Sequence, residues 1–263
     1  MCIALIAHQV HATYPLVIAA NRDEFHARPT TPAGWWPEQI LAGKDLVAGG
    51  TWFGVHRNGR IALLMNFRDG LARDPAARSR GELVVTALSS TRPARRLLTD
   101  VLSSGDAYQG YSLIAGQPGD LYCASNRNWM VSRMRQGVFG LSNQFLDTSW
   151  PKVDRAKDRL RTAMEDAVVA PEGLFELLRD TTQAADHELP DTGIGLERER
   201  FLSSPFIIGE NYGTRSSTVL LLDRTGGVLF IERTFDRNGE AVSDARYDFT
   251  VSRPLAVSAA GGA

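Results

Sequence analysis

Two short apolar runs at the start of the chain, Cys2 to Ala7 and Leu16 to Ala20, constrain the fold most. The polar stretch His8 to Tyr14 between them makes two adjacent strands joined by a turn. The second run leads without a break into four polar residues, Asn21-Arg22-Asp23-Glu24. If the strands pair, the far end of the second returns to the start of the first. A polar cluster is then set beside Cys2. The same segment is a poor secretory leader, which wants a basic start and an unbroken apolar stretch. No Lys or Arg precedes Arg22, and His8, Gln9, His11 and Pro15 interrupt the run.

The texture beyond is segregated. Arg28 to Pro37, with three prolines and Trp35-Trp36, reads as a loop. Leu46 to Ala48, Trp52 to His56 and Arg60 to Met65 read as strands. Gly49-Gly50 and Asn58-Gly59 supply turns, and Asn-Gly between apolar runs is a hairpin signal. Gly81 to Ser103 carries apolar residues near a 3.6 period, broken at Thr91-Arg92-Pro93, which predicts two helices. Tyr111 to Ala115, Leu121 to Ala124 and Val138 to Ser142 return to strand texture. Trp150-Pro151 starts a helix whose face is Val153, Ala156, Leu160 and Ala163. A shorter helix holds Leu174, Phe175, Leu177 and Leu178. Thr181 to Glu199 reads as a surface loop, and Ser217 to Leu222 with Gly227 to Glu232 as a hairpin. Strands, a helical pair, strands, a helical pair and strands again make an α+β chain. The expected solution is two stacked antiparallel sheets with helices on the outer faces. One domain over residues 1–255 and a frayed tail at 256–263 are expected.

Composition narrows the function. Of 263 residues, Lys plus Arg number 29 and Asp plus Glu 30, a net charge of -1. That balance disfavours a general nucleic-acid binder. Hydrophobic residues at 43% and charged residues at 22% suit a globular chain. No apolar run approaches the roughly 18 residues of a membrane span. The cysteines, Cys2 and Cys123, form no disulfide framework, which points to a reducing compartment and a cytoplasmic location.

Four features could carry chemistry. Removal of Met1 would leave Cys2 with a thiol and a free α-amine on one residue. The unperturbed amine, with a pKa of about 7.7–8.0, can take the thiol proton and later return it to a leaving group. The alternative is a small apolar residue opening a buried strand. Asp23 could orient the amine, and Arg22 could favour thiolate. The alternative is a solvated ion pair. Asn66 and Asn143 each follow a strand, where an amide can donate to an oxyanion or simply serve a turn. Arg215 opens the apolar strand at 217 to 222 and needs a partner, a substrate carboxylate or the Asp23 region. Trp52, with Trp35 and Trp36, could wall a pocket or fill the core. The five histidines show no metal-ligand spacing, and no phosphate-binding or serine-nucleophile motif is present.

Together, the start Met1-Cys2-Ile3, Asn21-Arg22-Asp23-Glu24, Gly50-Thr51-Trp52-Phe53-Gly54, Asn66, Leu141-Ser142-Asn143 and Gly213-Thr214-Arg215-Ser216-Ser217 resemble a known family. It is the NRDE-motif family, also called the transport and Golgi organisation protein 2 family, and the resemblance covers most of the chain. That family is similar to the N-terminal nucleophile hydrolases, in the branch of penicillin V acylase, bile salt hydrolase and acid ceramidase. The resemblance implies a four-layer αββα sandwich. It implies catalytic roles for Cys2, Arg22, Asp23, Asn66, Asn143 and Arg215. That branch usually reads Arg-Asn-x-Asp where this chain has Asn21-Arg22-Asp23-Glu24, so Asn21 is expected to share the Arg22 role, and Asn21 and Trp52 are expected to bind substrate. No metal is implied.

Two functions follow as expectations. The first is a cysteine amidohydrolase acting on a linear amide or related acyl bond of a small molecule, with no cofactor. The second is a non-catalytic haem- or lipid-binding and trafficking protein on the same fold. The chain has no C-x-x-C-H haem attachment sequence.

Overall fold

In the computed structural model, which describes residues 2–72 and 74–252, the first two apolar runs pair as expected. Strands β1 (Cys2–His8) and β2 (Leu16–Phe25) are antiparallel, with Cys2 opposite Arg22 and His8 opposite Leu16. Both strands are buried on both faces, which is why they read as continuous apolar runs. Alternation sorts their side chains. Ile3, Leu5, Val17 and Ala19 meet one hydrophobic core, and Ala4, Ile6, Leu16, Ile18 and Ala20 meet another. Continued past Ala20, the alternation puts Arg22 on one face and Asn21 and Asp23 on the other.

Four strands follow: β3 (Thr30–Trp35), β4 (Ile40–Asp45), β5 (Phe53–His56) and β6 (Ile61–Asn66). Helices α1 (Gly81–Ser89) and α2 (Ala94–Leu102) come next, then β7 (Tyr111–Gln117), β8 (Asp120–Ser125), β9 (Met130–Met134) and β10 (Gly137–Leu141). Helices α3 (Pro151–Ala163), α4 (Pro171–Leu178) and α5 (Leu196–Phe201) precede β11 (Tyr212–Leu222), β12 (Gly227–Phe235) and β13 (Ala241–Thr250). The first sheet runs β10-β1-β2-β11-β12-β13, and the second runs β3 to β9 in chain order. Every pairing between these strands is antiparallel.

Three cores define the layers. One lies between the sheets and includes Ile6, Ile18, Phe53, Leu63, Ile114 and Phe230. A second joins the first sheet to α3 and α4 through Val153, Leu160, Leu174 and Phe175. A third joins the second sheet to α1 and α2 through Leu83, Leu88, Leu97 and Leu98. The molecule is therefore the four-layer αββα sandwich. Pro93 ahead of α2, Pro151 at the start of α3 and Gly59, with φ of 84° in the β5–β6 hairpin, sit where their backbones require them.

Several boundaries differ from expectation. The segment expected as a loop, Arg28 to Pro37, holds β3, whose register shifts between Thr31 and Gly34 around Pro32. Leu46 to Ala48, expected as a strand, is a turn. The Asp45 carboxylate accepts from the backbone N–H of Val47 at 2.9 Å and Ala48 at 3.3 Å, a local bond that outcompetes extended pairing. The stretch Thr181 to Glu199 contains the start of α5. Strands β9 and β13 lie at sheet edges with mainly exposed or half-buried side chains and were not anticipated; β9 lacks apolar alternation, whereas β13 carries it in Ala245, Tyr247 and Phe249, which pack against the core between the sheets. The expected boundary at 255 and the tail at 256–263 lie outside the described residues. No helix among the described residues is long and apolar enough to cross a membrane. Both cysteines are free.

Candidate active site

The site is built where β1 begins, and the neighbours of Cys2 come from the end of β2 and from the residues just past β10. The antiparallel register places Arg22 directly across from Cys2. The Asp23 backbone N–H donates to Cys2 Sγ at 3.5 Å. From the other side, β10 pairs with β1 and ends at Leu141, which carries Ser142 and Asn143 to the chain start. Ser142 Oγ donates to the Cys2 carbonyl at 2.9 Å, and the Cys2 backbone nitrogen donates to Asn143 Oδ1 at 3.4 Å. Asn143 is fully buried. Its Nδ2 donates to the Asn66 carbonyl at 2.8 Å, and its own carbonyl accepts from the Arg68 N–H at 2.8 Å. The ends of β6 and β10 are thereby tied together beside Cys2.

A cleft of about 520 Å³ opens over this point, lined in part by Cys2, Arg22, Asp23, Trp52, Asn66 and Tyr212. Cys2 is half-buried. The Arg22 guanidinium lies 4.2 Å from the centre of the Trp52 ring, a stacked cation that is nearly buried. Close packing under the rim depends on Gly50, where a Cβ would come within 2.5 Å of the Gly81 backbone.

Asp23 is buried behind the strand. Its Oδ1 accepts from Thr214 Oγ1 at 2.7 Å, and its carbonyl accepts from the Tyr212 hydroxyl at 3.0 Å. Beneath it, from α3, the fully buried Lys152 donates Nζ to the Leu202 carbonyl at 2.9 Å. The buried pair Arg68–Glu199 lies at 2.9 Å, with Arg68 stacked 4.4 Å from the Trp150 ring. These charges set the electrostatics. Burial pushes the Cys2 thiol up, with the Asp23 charge adding, while the Asp23 N–H and Arg22 oppose it. Burial raises the Asp23 carboxyl, opposed by Lys152, the Thr214 hydroxyl and Arg22. Burial lowers Lys152 to about 8, opposed by Asp23.

Cys2, Arg22, Asp23, Asn66 and Asn143 thus converge. Asn66 contributes an exposed side chain to the cleft and its carbonyl to Asn143. Two expected residues face elsewhere. Asn21 points to the helix layer, so its assignment to substrate binding is corrected. Its Nδ2 donates to the Leu178 and Pro205 carbonyls at 2.9 Å each, and its Oδ1 accepts from Ser217 Oγ at 2.5 Å. Strand alternation makes this unavoidable, since Asn21 and Arg22 cannot share a face. Arg215 does not line the Cys2 cleft. At the β11 bulge its Nη1 donates to the carbonyls of Phe25, His26 and Arg28 at 3.0, 3.2 and 3.2 Å.

Lys152, Arg68, Glu199, Thr214 and Tyr212 were not anticipated. A signal for Lys152 existed: with Ala156 and Leu160 it falls at helical spacing on the buried face of α3. Among the described residues, no group of three or more His, Cys, Asp or Glu is placed to hold a metal ion.

The profile of the Transport and Golgi organisation 2 family matches residues 1–237. The chain belongs to that family. The mouse Transport and Golgi organization 2 homolog is 32% identical over 258 residues, covering 90% of this chain and 93% of that protein. The human homolog is 33% identical over 258 residues, with the same shares. Among solved structures, the C2A mutant of a conjugated bile acid hydrolase from Clostridium perfringens aligns with a TM-score of 0.44 at 10% identity, covering 99% of this chain and 100% of that one. The Transport and Golgi organisation 2 match spans every strand and helix described above except β13.

Proposed function

We propose that this chain is an N-terminal cysteine amidohydrolase that cleaves a linear amide or related acyl bond through a Cys2 thioester. The observation that carries this reading is the pairing at Cys2. Its thiol opens a cleft while its own backbone nitrogen sits 3.4 Å from Asn143 Oδ1. With Met1 removed, that nitrogen is an amine, and nucleophile and base occupy one residue.

At rest, burial keeps the thiol protonated, so the reaction needs a base. The Cys2 amine takes the Sγ proton as sulfur attacks the acyl carbon. Asn143 Oδ1 and the Asp23 charge orient and hold the resulting ammonium. The carbonyl π electrons move to oxygen. In this reading the oxyanion is met by amide N–H donors of Asn66, whose side chain is exposed to the cleft, and of the buried Asn143, whose Nδ2 carries one N–H beyond its bond to the Asn66 carbonyl. On collapse, the C–N bond breaks and the ammonium proton passes to the leaving nitrogen, giving a thioester and a free amine. Water then attacks the thioester with the same Cys2 amine as base. The acid leaves and the thiol is restored.

Arg22 stabilises thiolate character opposite Cys2, and Trp52 fixes the plane of its guanidinium. Asn66 also positions Asn143 through its carbonyl. The haem alternative fits the lining poorly. Haem iron needs an axial ligand, no histidine lines the cleft among the described residues, and burial disfavours the thiolate that Cys2 would have to supply. Charged rim residues, among them Glu24, Arg28, Asp45 and Arg78, do not make the continuous apolar wall an acyl chain wants.

The test is turnover of a panel of N-acyl amides by the full chain and by Cys2→Ala. Hydrolysis lost in Cys2→Ala with unchanged thermal unfolding supports the reading. Equal hydrolysis by both overturns it.

A further inference from the structure

A second cleft, of about 310 Å³, opens beyond the Arg22–Trp52 stack. It shares those two side chains with the Cys2 cleft and no other residue, so the stacked pair is a wall between two chambers. The second chamber holds three charged side chains: Arg22 from β2, Arg215 from β11 and Glu232 from β12. We propose that this chamber is a binding site for a small carboxylate, held by Arg215 and Arg22 with Glu232 as its partner acid.

Arg215 is preset for the role. Its three bonds to the carbonyls of Phe25, His26 and Arg28 all run from Nη1. They pin the side chain in place, and the opposite edge of the fork, Nε and Nη2, is the edge a carboxylate takes in a two-point contact. Arg22 is equally fixed, nearly buried and stacked on Trp52.

Glu232 decides the ligand class. It is buried at the back of the chamber, and its Oε1 accepts from the Ala33 N–H at 2.7 Å. Burial pushes its carboxyl up to about 7, opposed by the Ala33 N–H, Arg22 and the hydroxyls of Ser216 and Thr218. Burial thereby favours its protonated, neutral form. A neutral Glu232 can donate to an incoming carboxylate, so the two acids share one proton beneath two guanidinium groups. A phosphate dianion brings more negative charge against the same carboxyl and is matched less well. At the mouth, the hydroxyls of the half-buried Thr234 and the exposed Ser243 lie 2.8 Å apart.

The site shares Arg22 with the Cys2 cleft, but its binding requires no amide turnover. Its test is a titration of the full-length, ¹⁵N-labelled chain with sodium acetate at constant ionic strength, read on the arginine Nε–Hε signals. The site predicts saturable shifts of Arg215 and Arg22 with a Kd in the millimolar range. Arg215→Lys removes the two-point contact and weakens acetate binding about tenfold. Ser243→Asp changes only an exposed rim residue and weakens binding by placing a competing carboxylate at the mouth. Binding weakens as pH rises from 6 to 8 and Glu232 ionises, and Glu232→Gln flattens that dependence.

A parallel arm follows Cys2 alkylation by iodoacetamide at saturating acetate. Continued alkylation places the acetate beyond the wall, whereas complete protection puts it in the Cys2 cleft and overturns the proposal. No saturation by about 100 mM acetate, tighter binding of inorganic phosphate than of acetate, or an Arg215→Lys variant that binds as well as the parent also overturns it.

Discussion

The two thiols of this chain rest against the same hydrophobic core and differ in almost everything else. Cys123 lies on β8 inside the layer between the sheets, 6% exposed, among Ile114, Leu121 and Met134. Burial pushes its thiol up to about 12. Cys2 touches that core only at its margin, and burial raises its thiol as well. Desolvation is therefore common to both and explains the chemistry of neither. What separates them is the company at the margin: a backbone donor from Asp23, a guanidinium across the strand pair, and an asparagine that accepts from the Cys2 nitrogen. A thiol becomes a candidate nucleophile through groups that stabilise its charged form and move its proton, and these gather where strands end.

The sharpest break of this contrast is the pair Cys2→Ala and Cys123→Ala. The first is expected to lower amide turnover by more than about 10³-fold with little change in unfolding temperature. The second is expected to leave turnover intact and lower stability by about 1 kcal/mol, measured by urea unfolding. Next is Asn143→Ala. Loss of an oxyanion donor lowers kcat by about 10²- to 10³-fold. The orphaned Asn66 carbonyl costs a further 1–3 kcal/mol or so of stability. A variant that loses stability and keeps kcat would confine Asn143 to scaffolding.

Asn21→Ala probes the other face of the same strand. Its three buried bonds are structural, so the change is expected to cost about 1–3 kcal/mol in unfolding while KM stays within about twofold. A large rise in KM would return Asn21 to the substrate. The last effect is a pH slope. Burial lowers Lys152 from 10.5 to about 8, so between those values the unfolded chain binds more protons than the folded one. This term makes stability rise with pH across that window. The urea midpoint of the parent is expected to gain on that of Lys152→Met between pH 8 and pH 10. A constant difference would remove Lys152 from the charge balance under Asp23.

Much of this was legible in the sequence. Runs buried on both faces announced β1 and β2, and Asn58-Gly59 announced the β5–β6 hairpin. Leu83, Val84, Ala87 and Leu88 announced the buried face of α1. Strand β9 was not legible, because it has little apolar surface to bury, whereas β13 carried a readable alternation in Ala245, Tyr247 and Phe249. Cys2, Arg22, Asp23, Asn66 and Asn143 were legible as strand ends that could meet, and antiparallel pairing brings them together. Which face each takes was harder. Arg22 and Asn21 are neighbours in sequence with opposite destinations, and only the register Cys2↔Arg22 decides between them. Lys152 was obscured because a lysine near a helix start reads as solvated. The bulge between Thr214 and Ser216 turned Arg215 toward the second cleft, and local sequence gave no sign of it.

The central claim is that Cys2, freed at its amine, forms an acyl bond. Its most direct test is intact and peptide mass analysis of the full chain from its own cell, before and after brief exposure to an activated N-acyl amide. The account predicts a mature chain beginning at Cys2 and a single acyl adduct on the N-terminal peptide. Retained Met1 with no adduct, or an adduct on Cys123, would contradict it.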